Sequence, residues 1–241
     1  MPRSAFASRS AWPVLIAVSL WIASPPVWGQ QSYISRFDLF TGYTFLDSPH
    51  VGLFENGFHI QSGARLRTWV SLGLDYSITA GDLTLTPSLL LPTLQQQLGA
   101  ELGGLMTAGQ LSPSYQLVVP AHSRTQTFAG GPQVATHHWT HFTLFARPSL
   151  GAIHEVATPH PGDPIATLVA NQLAPGGNKK DWTIFYGAGG GIDFLISKHI
   201  ALRTQADLVY DHLFNDLLKD GRLTVRFSVG PCFNFGQNLA K

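Results

Sequence analysis

The sequence is poor in charge, in cysteine and in long apolar runs, and each shortage excludes a class of protein. Charged residues make up 12% of the 241 residues and the formal net charge is +1, so no basic surface suited to nucleic acid is expected. The single cysteine, Cys232, excludes an internal disulfide framework. After residue 30, no stretch reaches the roughly 18 consecutive apolar residues that a membrane-spanning helix needs.

The N-terminus has the layout of a secretory signal. Arg3 and Arg9 precede an apolar stretch over residues 12–23, which is too short to span a bilayer. The small residues Val27 and Gly29 suit the positions before a cleavage site. We predict a signal peptide over residues 1–29 and an exported domain over residues 30–241. The alternative, an uncleaved N-terminal anchor, is disfavoured by the short apolar run.

The rest of the chain alternates between apolar and polar residues with a period of two, which is typical of β-strands that have one apolar face. The alternation is clearest from Trp69 to Ala80, where valine, leucine, tyrosine and isoleucine oppose serine, glycine, aspartate and threonine. Eight such segments are predicted, over residues 36–46, 57–66, 69–80, 123–136, 141–155, 182–196, 200–211 and 222–235.

The connections between these strands alternate in length. Those after strands two, four and six are a few residues long, whereas those after strands one, three, five and seven span residues 47–56, 81–122, 156–181 and 212–221. In the longest of them, four leucines at helical spacing predict a short helix over residues 93–108. This helix would be either a lid or partner-binding surface, or a segment folded back over the neighbouring loops.

An even number of strands with short turns at one end and long loops at the other is the topology of outer-membrane barrels. We therefore predict an all-β fold. It is an eight-stranded antiparallel up-and-down transmembrane β-barrel with a short helix in the long loop between strands three and four. Both termini would lie at the short-turn, periplasmic end.

The composition of the two strand faces predicts which one points outward. Opposite the apolar residues stand mainly glycine, serine, threonine and alanine with few ionisable groups, whereas soluble surfaces are rich in charge. The lumen of an eight-stranded barrel has room only for side chains. Trp69, Trp139 and Trp182 also fall near predicted strand ends, where membrane barrels carry aromatic girdles. The apolar face is therefore predicted to face lipid.

The polar face carries equal numbers of acidic and basic residues. Buried charges persist only when they are paired and hydrogen-bonded, and the planar guanidinium of arginine can bridge carboxylates. We predict a salt-bridge network that plugs the lumen, formed by Asp38, Arg65, Asp75, Arg147, Asp193, Arg203, Asp207 and Arg226. The alternative use of such charges, an ion path or a catalytic site, is left open.

No catalytic, cofactor-binding or metal-binding residue is predicted. The glycine run over residues 187–191 lacks the Lys-Ser/Thr of a phosphate loop and lies within a strand pattern. His137, His138 and His141 have no carboxylate or cysteine beside them, and solvated turn histidines are expected instead. The protein is therefore not expected to be an enzyme.

One enzymatic alternative, a lipid-directed hydrolase, depends on residues at the outer strand ends. The pairs His122–Ser123 and His154–Glu155 lie there, near Asp181 and Asp211. Adjacent residues of a strand face opposite ways, so His122 is not placed to activate Ser123. A pairing across strands stays open.

Five segments carry a resemblance to a known family. They are DLFTGYTF at residues 38–45, LFARPSLG at 144–151, GGGIDF at 189–194, KHIALR at 198–203 and RFSVG at 226–230. In these strand patterns the chain resembles the OmpA/OmpX-type eight-stranded outer-membrane β-barrels, in particular the outer membrane protein beta-barrel proteins of acidobacterial genomes. One departure is that residues 236–241 follow Phe235, whereas such barrels usually end on an aromatic residue.

The resemblance implies a location in the outer membrane of a Gram-negative bacterium. The expected role is envelope integrity, adhesion or partner binding through surface loops, with a small pore or an outer-leaflet lipid-modifying hydrolase as the alternative. The expected partners are outer-membrane lipid and lipopolysaccharide, and, during biogenesis, periplasmic chaperones and the barrel-assembly machinery. An extracellular ligand bound by the loops stays open, and neither nucleic acid nor a cofactor is expected.

Overall fold

The computed structural model describes residues 31–240, so the predicted signal peptide, residues 1–29, lies outside the described residues. The described chain forms eight long strands. They are β1 (Ser35–Ser48), β2 (Leu53–Arg67), β3 (Val70–Leu85), β4 (Val119–Thr136), β5 (Phe142–Pro159), β6 (Lys179–Leu195), β7 (Ile200–Asp211) and β8 (Arg222–Asn238).

The strands close into one barrel in which each strand pairs antiparallel with its neighbours in sequence and β1 pairs with β8. The closing pair runs from Ser35↔Asn238 to Asp47↔Val225, so both ends of the described chain lie at the same end of the barrel. We call this the termini end and the opposite one the loop end. The predicted all-β, eight-stranded antiparallel barrel is confirmed.

The two faces of the wall differ in polarity, and the apolar face points outward, as the sequence predicts. Apolar side chains point outward and remain exposed, for example Ile184 at 76%, Leu74 at 70% and Leu150 at 64%. Inward-pointing side chains are largely polar, and Arg203 is 0% exposed. Because successive residues of a strand alternate between faces, the period-two pattern sorts one set outward and the other into the lumen.

Several strands extend further toward the loop end than predicted, and the connection between β1 and β2 is shorter as a result. β2 begins at Leu53, so only residues 49–52 link it to β1, and Pro49–Val51 form a single 3₁₀ turn there. The prediction of a long loop over residues 47–56 is therefore wrong. The connections at residues 86–118, 160–178 and 212–221 are long, as expected.

The helix predicted over residues 93–108 is confirmed as α1 (Pro92–Thr107). A second helix, α2 (Pro164–Leu173), lies in the loop between β5 and β6 and was not predicted. The side chain of Asp163 caps it by accepting hydrogen bonds from the backbone N–H groups of Ile165 and Ala166, and these bonds lower the pKa of the Asp163 carboxyl. The Asp-Pro pair is the start signal that could have revealed this helix.

The two helices pack together above the loop end of the barrel. Leu98 of α1 is buried in one apolar cluster with Val169 and Ala170 of α2, and with Leu90 and Val119. Of the two interpretations of α1, this arrangement corresponds to a helix folded back over neighbouring loops. Within residues 31–240, neither helix is both long and apolar enough to cross a bilayer.

Candidate functional site

The site with the most distinctive chemistry is the barrel lumen, where the strands place ionisable side chains in three clusters. The termini cluster lies nearest the termini end, and the middle cluster and the loop cluster follow it. The two clusters nearest the chain ends contain the eight residues selected from the sequence. The loop cluster contains charged residues that the selection missed.

The termini cluster is a chain of alternating charges, formed by Arg65, Asp38, Arg203 and Asp193. Arg203 binds Asp193 with two nitrogens, Nε to Oδ1 at 2.7 Å and Nη2 to Oδ2 at 2.9 Å. Asp38 accepts from Arg203 Nη1 at 3.4 Å and lies 3.1 Å from Arg65 Nη2. Since Asp193 and Arg203 are direct cross-strand partners of β6 and β7, the register itself forms the two-nitrogen pair.

The middle cluster is a closed ring of two acids and two bases. Arg147 lies 2.8 Å from Asp75 and 3.1 Å from Asp207. Arg226 lies 3.3 Å from Asp75 and 2.9 Å from Asp207, measured from guanidinium nitrogen to carboxylate oxygen. Each charge therefore contacts two of opposite sign, an arrangement that offsets part of the desolvation cost of burying all four.

Aromatic rings and hydroxyls surround these charges. The guanidinium carbon of Arg203 lies 4.7 Å from the ring centre of Phe145 and 5.8 Å from that of Phe40. Arg226 also donates to the hydroxyls of Ser77 and Thr127 at 3.3 and 3.1 Å. Around Arg203 and Arg226 the lumen is thus occupied by side chains that contact one another.

The loop cluster has three acids and one arginine. Arg222 donates to Glu155 at 2.6 Å and to Asp211 at 3.3 Å. Glu55 contacts no cation among the described residues, and its carboxylate accepts hydrogen bonds from Thr79 at 2.5 Å and Thr125 at 2.9 Å. Arg222 and Asp211 share the polar strand face with Arg226 and Asp207, so alternation could have found them. Glu55 falls in the segment predicted to be a loop.

Glycines in β6 make room for the middle cluster. A Cβ atom added to Gly189 would lie 1.9 Å from Asp207 Oδ1 and 2.9 Å from the carbonyl oxygen of Ala206. One added to Gly191 would lie 2.7 Å from the Phe145 ring. The glycine run over residues 187–191 is therefore part of the lumen wall, where the Asp207 carboxylate and the Phe145 ring lie close to the backbone.

Replacing Gly189 by alanine is expected to destabilise the barrel by about 1–3 kcal/mol, because the added methyl group overpacks the site and displaces Asp207. Urea unfolding in phospholipid bilayers, followed by tryptophan fluorescence, measures the change. Gly103→Ala on α1, where an added Cβ meets nothing within 4 Å, is the control. Equal stability of Gly189→Ala and the wild type would contradict this account of the glycine run.

The residues considered for a hydrolase are separated by the barrel wall. Ser123 is buried in the lumen and donates to Glu155 at 2.9 Å. His122 faces outward, 3.2 Å from Asp82, and His154 faces outward and stacks on Trp182. Asp181 accepts from the backbone N–H of Phe214 at 2.5 Å. Within the described part of the chain, no histidine hydrogen-bonds the Ser123 hydroxyl.

Among residues 31–240, no group of three or more histidine, cysteine, aspartate or glutamate side chains is placed to hold a metal ion. Of the turn histidines, His138 and His141 are exposed, but His137 is half-buried at the termini end. Burial, followed by the charge of Arg65, lowers the pKa of His137 to about 4. His137 is therefore only partly solvated, unlike His138 and His141.

Apolar side chains cover the loop end of the lumen. Leu46, Val51 and Leu53 form a buried cluster that Leu89 and Leu218 join from the loops. Leu90 and Leu218 form an isolated antiparallel bridge, so the loop before α1 contacts the loop between β7 and β8. Beneath them a cavity of about 70 Å³ is lined mainly by aliphatic side chains, with Glu155 and Arg222 also in its lining.

No protein-family profile matches the chain, and no curated protein matches its sequence. Among solved structures it is similar to Neisserial surface protein A (NspA), with a TM-score of 0.53 and 10% identity over 83% of this chain and 98% of that one. It is also similar to the outer membrane protein OprG from Pseudomonas aeruginosa, with a TM-score of 0.49 and 8% identity over 86% and 99%.

A further similarity is to Ail, the attachment invasion locus protein of Yersinia pestis, with a TM-score of 0.47 and 10% identity over 84% of this chain and 99% of that one. At these identities the similarity concerns the fold. The closed barrel of eight strands and the similarity to NspA therefore show the fold of the eight-stranded outer-membrane β-barrels, whereas the narrower resemblance to acidobacterial barrels stays a prediction.

Proposed function

We propose that this protein is a non-enzymatic barrel of the Gram-negative outer membrane, with a lumen plugged by salt bridges and loops that serve envelope integrity, adhesion or partner binding. The observation that carries the proposal is the inverted polarity of the wall. Arg203 and Arg226 are buried inside, whereas Ile184 and Leu74 stand exposed outside. In water this arrangement would expose the apolar surface to solvent, whereas in a bilayer the same surface is covered by lipid and the arrangement is stable.

The pairing of the lumen charges favours a plug. A conducting pore needs a continuous polar path with mobile water, whereas the middle cluster closes a ring of four direct ion pairs across the lumen. Apolar side chains cover the loop end above it. Charges that neutralise one another are poorly suited to attract a charged substrate.

The loops are held in one conformation by contacts between them, and this favours a role in binding. α1 and α2 share a buried cluster, and the Tyr115 hydroxyl donates to the Asp163 carboxylate at 3.0 Å. A loop surface ordered before binding loses less conformational entropy when a partner docks than a disordered one. The same loops are the part of the molecule that would project from the cell.

Planar-bilayer conductance tests the plug. The wild-type protein is expected to form no long-lived channel, and Arg147→Ala/Asp207→Ala is expected to show brief openings at most, because the termini cluster and the apolar cover of the loop end remain in place. The double change removes one charge of each sign and leaves Arg226 paired with Asp75. Lys179→Ala/Asp216→Ala, which removes an ion pair outside the lumen, is the control and should stay closed.

Two results would contradict the proposal. Stable wild-type channels would indicate the small pore, and altered lipid A acyl chains in a deletion strain would indicate the lipid-modifying hydrolase. Migration on gels with and without boiling tests the barrel independently, because a folded membrane barrel migrates differently from its unfolded chain.

A further inference from the structure

One part of the outer wall departs from its apolar character. On β4, β5 and β6, near the loop end, the register places Arg124, Val156 and Lys180 side by side in one outward-facing row. The next row toward the barrel middle holds Gln126, His154 and Trp182. The row after that is apolar, with Phe128, Ala152 and Ile184.

The two cations of the first row are unpaired. Arg124 and Lys180 are exposed, and within residues 31–240 neither forms an ion pair. The neighbouring Lys179, by contrast, pairs with Asp216. Strands lie about 4.8 Å apart, so the two Cα atoms, with one strand between them, are separated by about 10 Å. Both side chains are long enough to reach one anion above Val156.

The second row has the composition of a membrane interface. The rings of His154 and Trp182 stack with their centres 4.5 Å apart, and Trp182 is 57% exposed. Tryptophan is enriched where the apolar band of a barrel meets the headgroups. A lipid whose acyl chains lie against Phe128 and Ile184 would therefore carry its headgroup at the height of Arg124 and Lys180.

The next outward-facing row toward the loop end carries two carboxylates. It holds Asp47 of β1, Phe54 of β2, Asp82 of β3 and His122 of β4, and the Asp82 carboxylate lies 3.2 Å from the His122 ring. An anionic headgroup would be repelled by these carboxylates and attracted to the cations of β4 and β6. The charge distribution therefore favours a site at Arg124 and Lys180 over binding all around the barrel.

We propose that Arg124 and Lys180, with Trp182 beneath them, form a binding site for the phosphate of a phosphorylated glycolipid in the outer leaflet. The site rests on the proposed outer-membrane location and adds to it a defined lipid partner. The cations select the phosphate, and the apolar rows hold the acyl chains. A free phosphate would meet only two exposed side chains, because the ladder occupies the backbone N–H groups of these strands.

The experiment measures lipid binding by native mass spectrometry of the purified full-length mature protein, titrated with diphosphorylated lipid A and with a fully dephosphorylated form. Wild type is expected to prefer the diphosphorylated lipid. Arg124→Gln/Lys180→Gln is expected to lower its apparent affinity about tenfold, because two charge-assisted contacts are lost. Arg67→Gln/Lys198→Gln, the same charge change on exposed residues at the termini end, should leave it unchanged.

The inference is overturned if the Arg124/Lys180 variant binds as tightly as wild type, if the control variant weakens equally, or if inorganic phosphate displaces the lipid. Migration with and without boiling separates this result from the proposed function. A wild-type protein without the heat-dependent shift would count against the membrane barrel. A normal shift with no preference for the phosphorylated lipid would remove only the lipid site.

Discussion

Replacing Arg203 by methionine is expected to destabilise the folded barrel by about 3–5 kcal/mol, because it leaves a buried carboxylate without a cation. Asp193 has no other ion-pair partner among the described residues, whereas Asp38 keeps Arg65 at 3.1 Å. The loss should therefore come mainly from Asp193. Urea unfolding in phospholipid bilayers measures it through tryptophan fluorescence.

A double-mutant cycle separates the stability lost with the ion pair from the stability lost with the side-chain volume. Asp193→Leu alone removes the carboxylate that two nitrogens of Arg203 contact. Asp193→Leu/Arg203→Met replaces both charges by apolar groups. The double variant should lose less stability than the sum of the single changes, since no unpaired charge remains. Additive losses would mean that the two residues act independently, and the salt-bridge account of the termini cluster would be wrong.

Replacing Leu150 by arginine is expected to cost about 2–4 kcal/mol in a bilayer, because the side chain points outward from the middle of β5 into the apolar band. Leu150 is 64% exposed and pairs with Gly130 and Tyr186 on the neighbouring strands. On a water-facing surface the same change would alter stability by only about 0.5 kcal/mol or less. The experiment therefore tests which solvent covers the outer wall.

Gln172→Arg is the matched control for Leu150→Arg, since Gln172 is exposed on α2 above the barrel. Its stability should equal that of wild type. The folded fraction in bilayers, read from migration without boiling, gives a second measure. If Leu150→Arg folded into bilayers as well as the control variant, the membrane-facing assignment of this wall would fail.

Both variants test features that local sequence pattern revealed. The alternation in residues 69–80 and 200–211 reports on each strand by itself, because successive side chains must point to opposite faces whatever the strand pairs with. Asp207 and Arg226 could therefore be placed in the lumen before their partners were known. The helix at Pro92–Thr107 was visible for the same reason, since its leucine spacing is local.

The features that the sequence did not reveal depend on pairing between neighbouring strands. The second predicted strand begins at Gly57 and leaves Glu55 in a loop, yet the pairing of Glu55 with Leu46 and Gly81 keeps it in the ladder. Hydrogen bonds to two neighbouring strands outweigh weak local propensity. The β-structure therefore continues beyond the predicted strand end and carries Glu55 into the loop cluster.

The sequence by itself determined the number of strands, the direction of each face and eight of the residues that carry charge into the lumen. Only the tertiary structure decided which acid meets which base, that Arg147 and Arg226 close a ring with Asp75 and Asp207, and that Arg124 and Lys180 share one row of the outer wall. The physical reason is that the polarity of a face is a property of one strand. Ion pairs and rows depend on the register between strands, which closure of the whole barrel sets.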